Sequence, residues 1–423
     1  MRTFQTHGFD VALHPMPGPI VTVRIVVNAG SFQETRPGTA HFLEHMFFKG
    51  TKKKSYVQIN REIAAIGDHN AYTSNDKTVY FISTTRDNAL KALDYLCEMM
   101  WDPALLPEEF EKERTVILEE LRRANDDPGH SFFRGAEAVV YQPQLGHPIL
   151  GEEADVRAMT LDDLQEFRTE NYGPGNVLIA LAGDVGHVTE ENVACALDPY
   201  WDRHHICRAQ PNIVPTLNMN LGSWTNPLVT RFEHTSEQAW VGLWMRGYDL
   251  GYSLASQFAD DVACNLLGGG LHSILFNRLR EELGLCYTTG MAQDNNWGNA
   301  ATIAYCLLDP KNVDQAIVEM RKCLEQVAYE GFPDDLLEAS VSNLLFDVAK
   351  GEQTPGGWAH RRVDRWFYYE RAAPGVELSY DFLHNCVRSG PVKDMVQAYA
   401  RSLIEGGLTM VIMNGDKTTT PTE

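Results

Sequence analysis

Residues 41–45 read His-Phe-Leu-Glu-His. On an α-helix, positions four apart stand one above the other, so His41 and His45 share a face. Two imidazoles at that spacing can hold one Zn²⁺ through their ring nitrogens. Glu44 stands three residues after His41 and beside His45. It therefore borders the same face, where a general base for an attacking water belongs. The order His-x-x-Glu-His inverts the His-Glu-x-x-His of many metalloproteases. The plainer reading is an amphipathic helix with two surface histidines.

A zinc site of this kind needs a third protein ligand. The candidate segment is Pro107 to Arg123, PEEFEKERTVILEELRR. Pro107 and the two acids after it predict a helix start, where negative charge suits the helix dipole. Phe110, Val116, Ile117 and Leu121 predict its apolar stripe. Glu113 and Glu120 are seven apart, two turns, and share a face. Glu120 would complete a His-His-Glu set, and Glu113 would orient one of the imidazoles from behind. Spacing alone leaves Glu119 and Glu120 both open as the ligand.

HFLEHMFFKGT at 41–51, followed by ERTVILEEL at 113–121, resembles the inverzincin metallopeptidases: the pitrilysin, insulin-degrading enzyme and mitochondrial processing peptidase family. The resemblance implies Glu120 rather than Glu119 as the third ligand, with Glu113 in the supporting position. It extends to NAGSFQE (28–34), read as a strand leading into the metal helix. It also covers GDHNAYTSNDKTVYFIST (67–84), where Asn70, Ala71 and Tyr72 would lie along an extended peptide. NYGPGNVLIALAGDV (171–185) matches the last strand of the family's first domain. SILFNRLREELGLCY (273–287) places Arg280 and Tyr287 on the family's Arg/Tyr pair, which binds a substrate carbonyl. His69 departs from the small or polar residues expected there and reads as a strand-edge histidine.

These residues need elements to position them. At 423 residues the chain suits two domains of about 200 residues. VLIALAGD (177–184) and TMVIMNGD (409–416) are both apolar strands ending in Gly-Asp, each after a helical, Tyr-containing stretch. VRIVVNAGS and AWVGLWMRGY also correspond. The pattern predicts an α+β fold of two similar domains related by internal duplication, each a mainly antiparallel sheet with helices packed on one face. The expected boundaries are 1–209 for the metal-binding domain, 210–229 for a Pro- and Asn-rich linker, and 230–423 for the domain carrying Arg280 and Tyr287. The last residues, KTTTPTE, read as a frayed tail.

Composition narrows the function classes. The 57 acidic residues against 36 basic ones give a formal charge of −21, which argues against nucleic-acid binding through a basic face. No apolar run approaches the ~20 residues of a membrane helix. Eight cysteines lie mostly among apolar neighbours with no Cys-x-x-Cys pair, the usage of reduced thiols in a cytosol-like compartment. The N-terminus has no signal-peptide pattern, so the expected location is cytoplasmic.

The expected activity is a zinc metalloendopeptidase with one Zn²⁺ per chain, Glu44 as general base, and Arg280 and Tyr287 steadying the oxyanion. The long members of the family join two such two-domain halves around the peptide, and this chain supplies one. The resemblance therefore implies a homodimer, with a heterodimer of related subunits as the other arrangement. Two further readings stand beside the enzyme: a non-catalytic scaffold or regulatory subunit of the same family, and a peptide-binding protein with structural zinc.

Overall fold

The computed structural model describes residues 1–141, 148–201, 218–247, 254–296, 299–360, 380–389 and 391–415. It divides into two compact units. The first gathers Met1–Ala124, His147–Val214 and Lys350–Arg371; the second gathers Asn125–Gly146, Pro215–Ala349 and Ala372–Glu423.

In the first unit, β1 (Arg2–Thr6), β2 (Phe9–Pro15), β3 (Ile20–Val27), β4 (Gly67–Thr73), β5 (Thr78–Thr85) and β6 (Val177–Gly183) form one sheet. Its order is β1-β2-β6-β3-β5-β4. Only β2 and β6 run parallel; the other pairs are antiparallel. In the second unit, β7 (Leu228–His234), β8 (Ala239–Arg246), β9 (Cys286–Asn296), β10 (Asn299–Leu308) and β11 (Leu408–Gly415) form a sheet of order β7-β11-β8-β10-β9. Again only the first pair, β7 and β11, is parallel. This order repeats β2-β6-β3-β5-β4 strand for strand, so the α+β duplication expected from the sequence is present.

Helices cover one face of each sheet. In the first unit these include α1 (Thr39–Phe47), α2 (Tyr56–Ala64), α3 (Ala89–Trp101), most of α4 (Pro107–Asp126), and, after α5 (Pro128–Val140), α6 (Glu153–Ala158), α7 (Leu161–Asn171) and α8 (Glu190–Trp201). The second unit has α9 (Leu254–Gly268), α10 (Val313–Glu325), α11 (Asp334–Glu352) and the helices Tyr380–Ser389 and Val392–Glu405. Between helices and sheet lie two separate apolar cores, one per unit.

The opposite sheet faces are covered too. β3 is buried at every position after Ile20, as an almost unbroken run of β-branched residues demands. Part of its sheet's outer face is capped by Trp358, which packs with Ala182 and Met16 and stacks on His14 at 4.1 Å. In the second sheet Trp240 and Trp244 of β8 meet Phe132 of α5, at 5.3 and 5.4 Å between rings. Each sheet thus takes its outer cover from a segment distant in the chain.

Two local expectations change. NAGSFQE is not a strand: β3 stops at Val27, and Ser31–Gln33 forms a short 3₁₀ turn. Val116 does not join the apolar stripe of α4. It is 49 % exposed, while Leu118 takes a place in the core, because at about 100° per residue Val116 falls outward beside Glu120. Residues 210–217 of the expected linker, Asp416 and the tail beyond it lie outside the described residues, as does Cys207. The cysteines whose state the structure gives, including buried Cys97, Cys264, Cys286, Cys306 and Cys323, are free thiols. No helix among the described residues is long and apolar enough to cross a membrane.

Candidate metal centre

The helix that carries His41, Glu44 and His45 is short, and its entrance is tightly fixed. Gly38, just before α1, has a φ of +88° and offers no side-chain cap. An added Cβ there would sit 2.9 Å from the Leu150 carbonyl oxygen, so glycine meets both the left-handed backbone and the close approach. Glu34 supplies the missing cap. Its Oε1 accepts from the Gly38 N–H at 2.8 Å and its Oε2 from the Ala40 N–H at 3.0 Å, satisfying donors a helix start leaves open. Every residue of α1 except His45 is buried, which makes it a core helix rather than a surface one. The Phe42 and Phe110 rings, stacked at 4.6 Å, join it to α4.

That packing brings Glu120 to the two imidazoles. Glu120 Oε2 lies 3.8 Å from His41 Nε2 and 3.5 Å from His45 Nε2. One ligand atom from each of the three residues falls within 4.8 Å of the others. These separations are too long for good hydrogen bonds. They are near the ~3.4 Å that two donors show when each lies ~2.0–2.1 Å from one tetrahedral Zn²⁺. Glu119 instead turns outward and pairs with Arg122. Among the described residues this is the only cluster of three or more His, Cys, Asp or Glu placed to share an ion.

The electrostatics suit a cation. Burial, with the neighbouring His45, pushes the His41 imidazole down to about 3, so it is neutral and its lone pair is available. Burial opposes charge on His45, but the hydrogen bond to Glu113 and the charges of Glu120 and Glu44 outweigh it, and its net shift is upward. Glu113 Oε1 lies 2.8 Å from His45 Nδ1. An imidazole that gives its Nδ1 proton to Glu113 turns its Nε2 lone pair toward the cluster. Lys49 pairs with the other Glu113 oxygen. Burial raises the Glu113 carboxyl, but His45 and Lys49 hold it below its ordinary value overall.

Glu44 is buried beside this set. Burial raises its carboxyl above the ordinary range, opposed by a hydrogen bond from Thr73 and the charge of His45, and assisted by the charge of Glu120. Asn70, Ala71 and Tyr72 lie on β4, the outer strand of the sheet, with Asn70 exposed. His69 shares that strand, its ring 5.7 Å from Phe48. Arg280 and Tyr287 belong to the second unit. Arg280 lies on the π-helical turn Phe276–Glu282, with its guanidinium over the Tyr287 ring at 4.6 Å and over Phe276 at 4.8 Å. It also donates to the Tyr287 carbonyl at 3.3 Å. Tyr287 is 71 % exposed.

Three residues escaped the sequence reading: Glu34, Lys49 and Thr73. Lys49 carried a signal, since it follows His45 by four residues and sits one helical turn on. Glu34 and Thr73 act through contacts that no periodicity announces.

Residues 11–153 match the sequence model of a family described as insulinase (peptidase family M16), and residues 158–344 one described as peptidase M16 inactive domain. The chain is 30 % identical to an uncharacterized zinc protease of Streptomyces coelicolor over 85 % of this chain and 79 % of that protein. It is 31 % identical to an uncharacterized zinc protease of Rickettsia felis, over 81 % of this chain and 82 % of that one. A solved structure of a protease from Helicobacter pylori superposes with a TM-score of 0.83 at 21 % identity, covering 98 % of this chain and 99 % of that chain.

Proposed function

The chain belongs to peptidase family M16, and on that premise we propose that it is a zinc-dependent endopeptidase acting on peptides or unfolded segments. The observation that carries this reading is the convergence of His41, His45 and Glu120 with buried Glu44 beside them. In this reading the three converging side chains hold one Zn²⁺ per chain, and Glu113 keeps His45 oriented. When bound, the ion supplies Lewis acidity to the water and the carbonyl. Glu44 takes a proton from the attacking water and delivers it to the leaving amine nitrogen. Arg280 and Tyr287 hold the carbonyl oxygen as negative charge develops on it. The peptide adds as an extended strand along β4 at Asn70–Tyr72, a mode that reads backbone more than side chains.

We further propose that two copies assemble, each lending Arg280 and Tyr287 to the metal site of the other, in a cytosol-like compartment. A heterodimer with a related subunit is the other arrangement, and size in solution separates the two. The inactive-domain description belongs to residues 158–344, a range that contains none of His41, Glu44, His45 or Glu120. That range does contain Arg280 and Tyr287, and the cleavage test below separates a catalytic chain from a non-catalytic one.

The test is metal analysis combined with cleavage of quenched peptides. About one zinc per chain is expected, lost in His45→Ala and in Glu120→Gln. Glu44→Gln keeps the zinc and loses at least ~10²-fold in cleavage rate. Full cleavage by Glu44→Gln would sink the mechanism. No cleavage of diverse peptides by the zinc-loaded wild type would favour the non-catalytic subunit.

A further inference from the structure

We propose that Thr73 is a positioning residue that fixes the carboxylate of Glu44 and ties it to the strand along which the peptide would dock. The proposal rests on the hydrolytic reading above. Thr73 Oγ1 donates to Glu44 Oε2 at 2.5 Å. A carboxylate has two oxygens. With one engaged by Thr73, the other is left to meet the proton of the attacking water. Without that bond, the terminal torsion of a glutamate is broad and poorly fixed.

The hydroxyl is held in place by its surroundings. Thr73 is the last residue of β4, and the chain turns at once through Ser74–Lys77. Ser74 N–H donates to the Lys77 carbonyl at 2.8 Å, and its hydroxyl lies 2.8 Å from Asp76 Oδ1 and 3.0 Å from the Lys77 carbonyl. Asn75, Asp76 and Lys77 are all buried. The turn is also fastened to the segment that leads into α1. Ser31 N–H donates to the Ser74 carbonyl at 3.2 Å, and Phe32 N–H to the Asn75 carbonyl at 2.8 Å. The Ser31 hydroxyl donates to Asn75 Oδ1 at 2.8 Å. A Cβ on Gly30 would lie 2.0 Å from the Ser74 oxygen, so only glycine permits this approach. The NAGSFQE segment thus holds both partners: Glu34 anchors the helix carrying Glu44, and Gly30–Phe32 anchor the turn that aims Thr73. Because β4 is also the outer strand of the sheet, one rigid strand sets both the peptide's register and the orientation of the base.

The experiment uses the full-length, zinc-loaded protein and three variants: Thr73→Val, Thr73→Ser and Thr73→Ala. Thr73→Val is expected to keep its zinc and a KM within about twofold of wild type, with kcat down ~10–100-fold, the scale of a misplaced reacting group. Thr73→Ser restores kcat to within about threefold. If the valine variant does not fold, the smaller alanine variant takes its place. Unchanged kcat without the hydroxyl, or failure of serine to restore it, overturns the proposal. A second readout needs no activity: urea unfolding of the metal-free protein with Thr73→Val, Glu44→Ala, which removes the acceptor, and the double variant. Non-additive destabilisation is expected, and strict additivity overturns the contact. If the wild type cleaves nothing, the hydrolase reading fails while this unfolding cycle still judges the contact.

Discussion

In the first unit, α1 enters after β3, packs over β4 and against α7, and carries His41, Glu44 and His45. In the second, α9 enters after β8, packs over β9 and against the helix Val392–Glu405, and carries Phe258, Asp260, Val262 and Cys264. The strand orders match, and so does an internal detail. Tyr80 on β5 hydrogen-bonds Tyr172 at the end of α7 at 2.9 Å, as Thr302 on β10 bonds Tyr399 of the final helix at 2.5 Å. The chemistry does not match. Burial, with Asp261 nearby, raises the Asp260 carboxyl to about 9, so α9 carries a buried, protonated acid where α1 carries two imidazoles and Glu44. One scaffold therefore carries the His41, His45 and Glu120 cluster in one half and no such cluster among the described residues of the other. Topology builds the platform, and a few side chains decide what it does.

The largest test of this contrast is at the metal. Glu113→Gln is expected to weaken zinc binding ~10–100-fold, measured by competition with a chelator, whereas Asp260→Asn leaves zinc affinity unchanged. A comparable loss from Asp260→Asn would break the distinction between the halves.

A smaller effect tests what the halves share. Tyr172→Phe and Tyr399→Phe each leave a buried hydroxyl partner unpaired and are expected to cost about 1–2 kcal/mol in urea unfolding. A loss confined to one half would show that the two hydroxyl pairs are not equivalent.

The smallest effect is in pH dependence. Burial, with Asp294 nearby, raises the Glu137 carboxyl of α5 from 4.5 to about 8. Its folded value exceeds its unfolded one, so its contribution is fully present below pH 4.5 and lost as pH rises through about 8. Glu137→Gln is therefore expected to flatten the fall in Tm between pH 4.5 and about 8.

Much of this was legible in the chain. His41 and His45 at i and i+4, and Glu113 and Glu120 at i and i+7, follow from helical spacing, and the structure places them together. The repeated Gly-Asp strands announced the duplication. Glu119 and Glu120 could not be told apart by spacing, because adjacent residues sit only about 100° apart and the winner depends on where α1 lies. Val116 was misplaced for the same reason: a wheel drawn without its neighbour does not say which arc is core.

The outer covers of the sheets were not legible at all. Trp358 reaches the first sheet and Phe132 the second across long stretches of chain, and an aromatic residue in a helix does not declare its partner. The sequence by itself determined the paired histidines, the acidic segment facing them and the helices that carry both, since periodicity is a local property of spacing; it left Glu119 and Glu120 open. Tertiary structure alone decided that Glu34 caps α1, that Glu113 lies between His45 and Lys49, and that Thr73 meets Glu44. Those contacts join separate elements, and only the packing of α1 between α4 and β4 fixes their geometry.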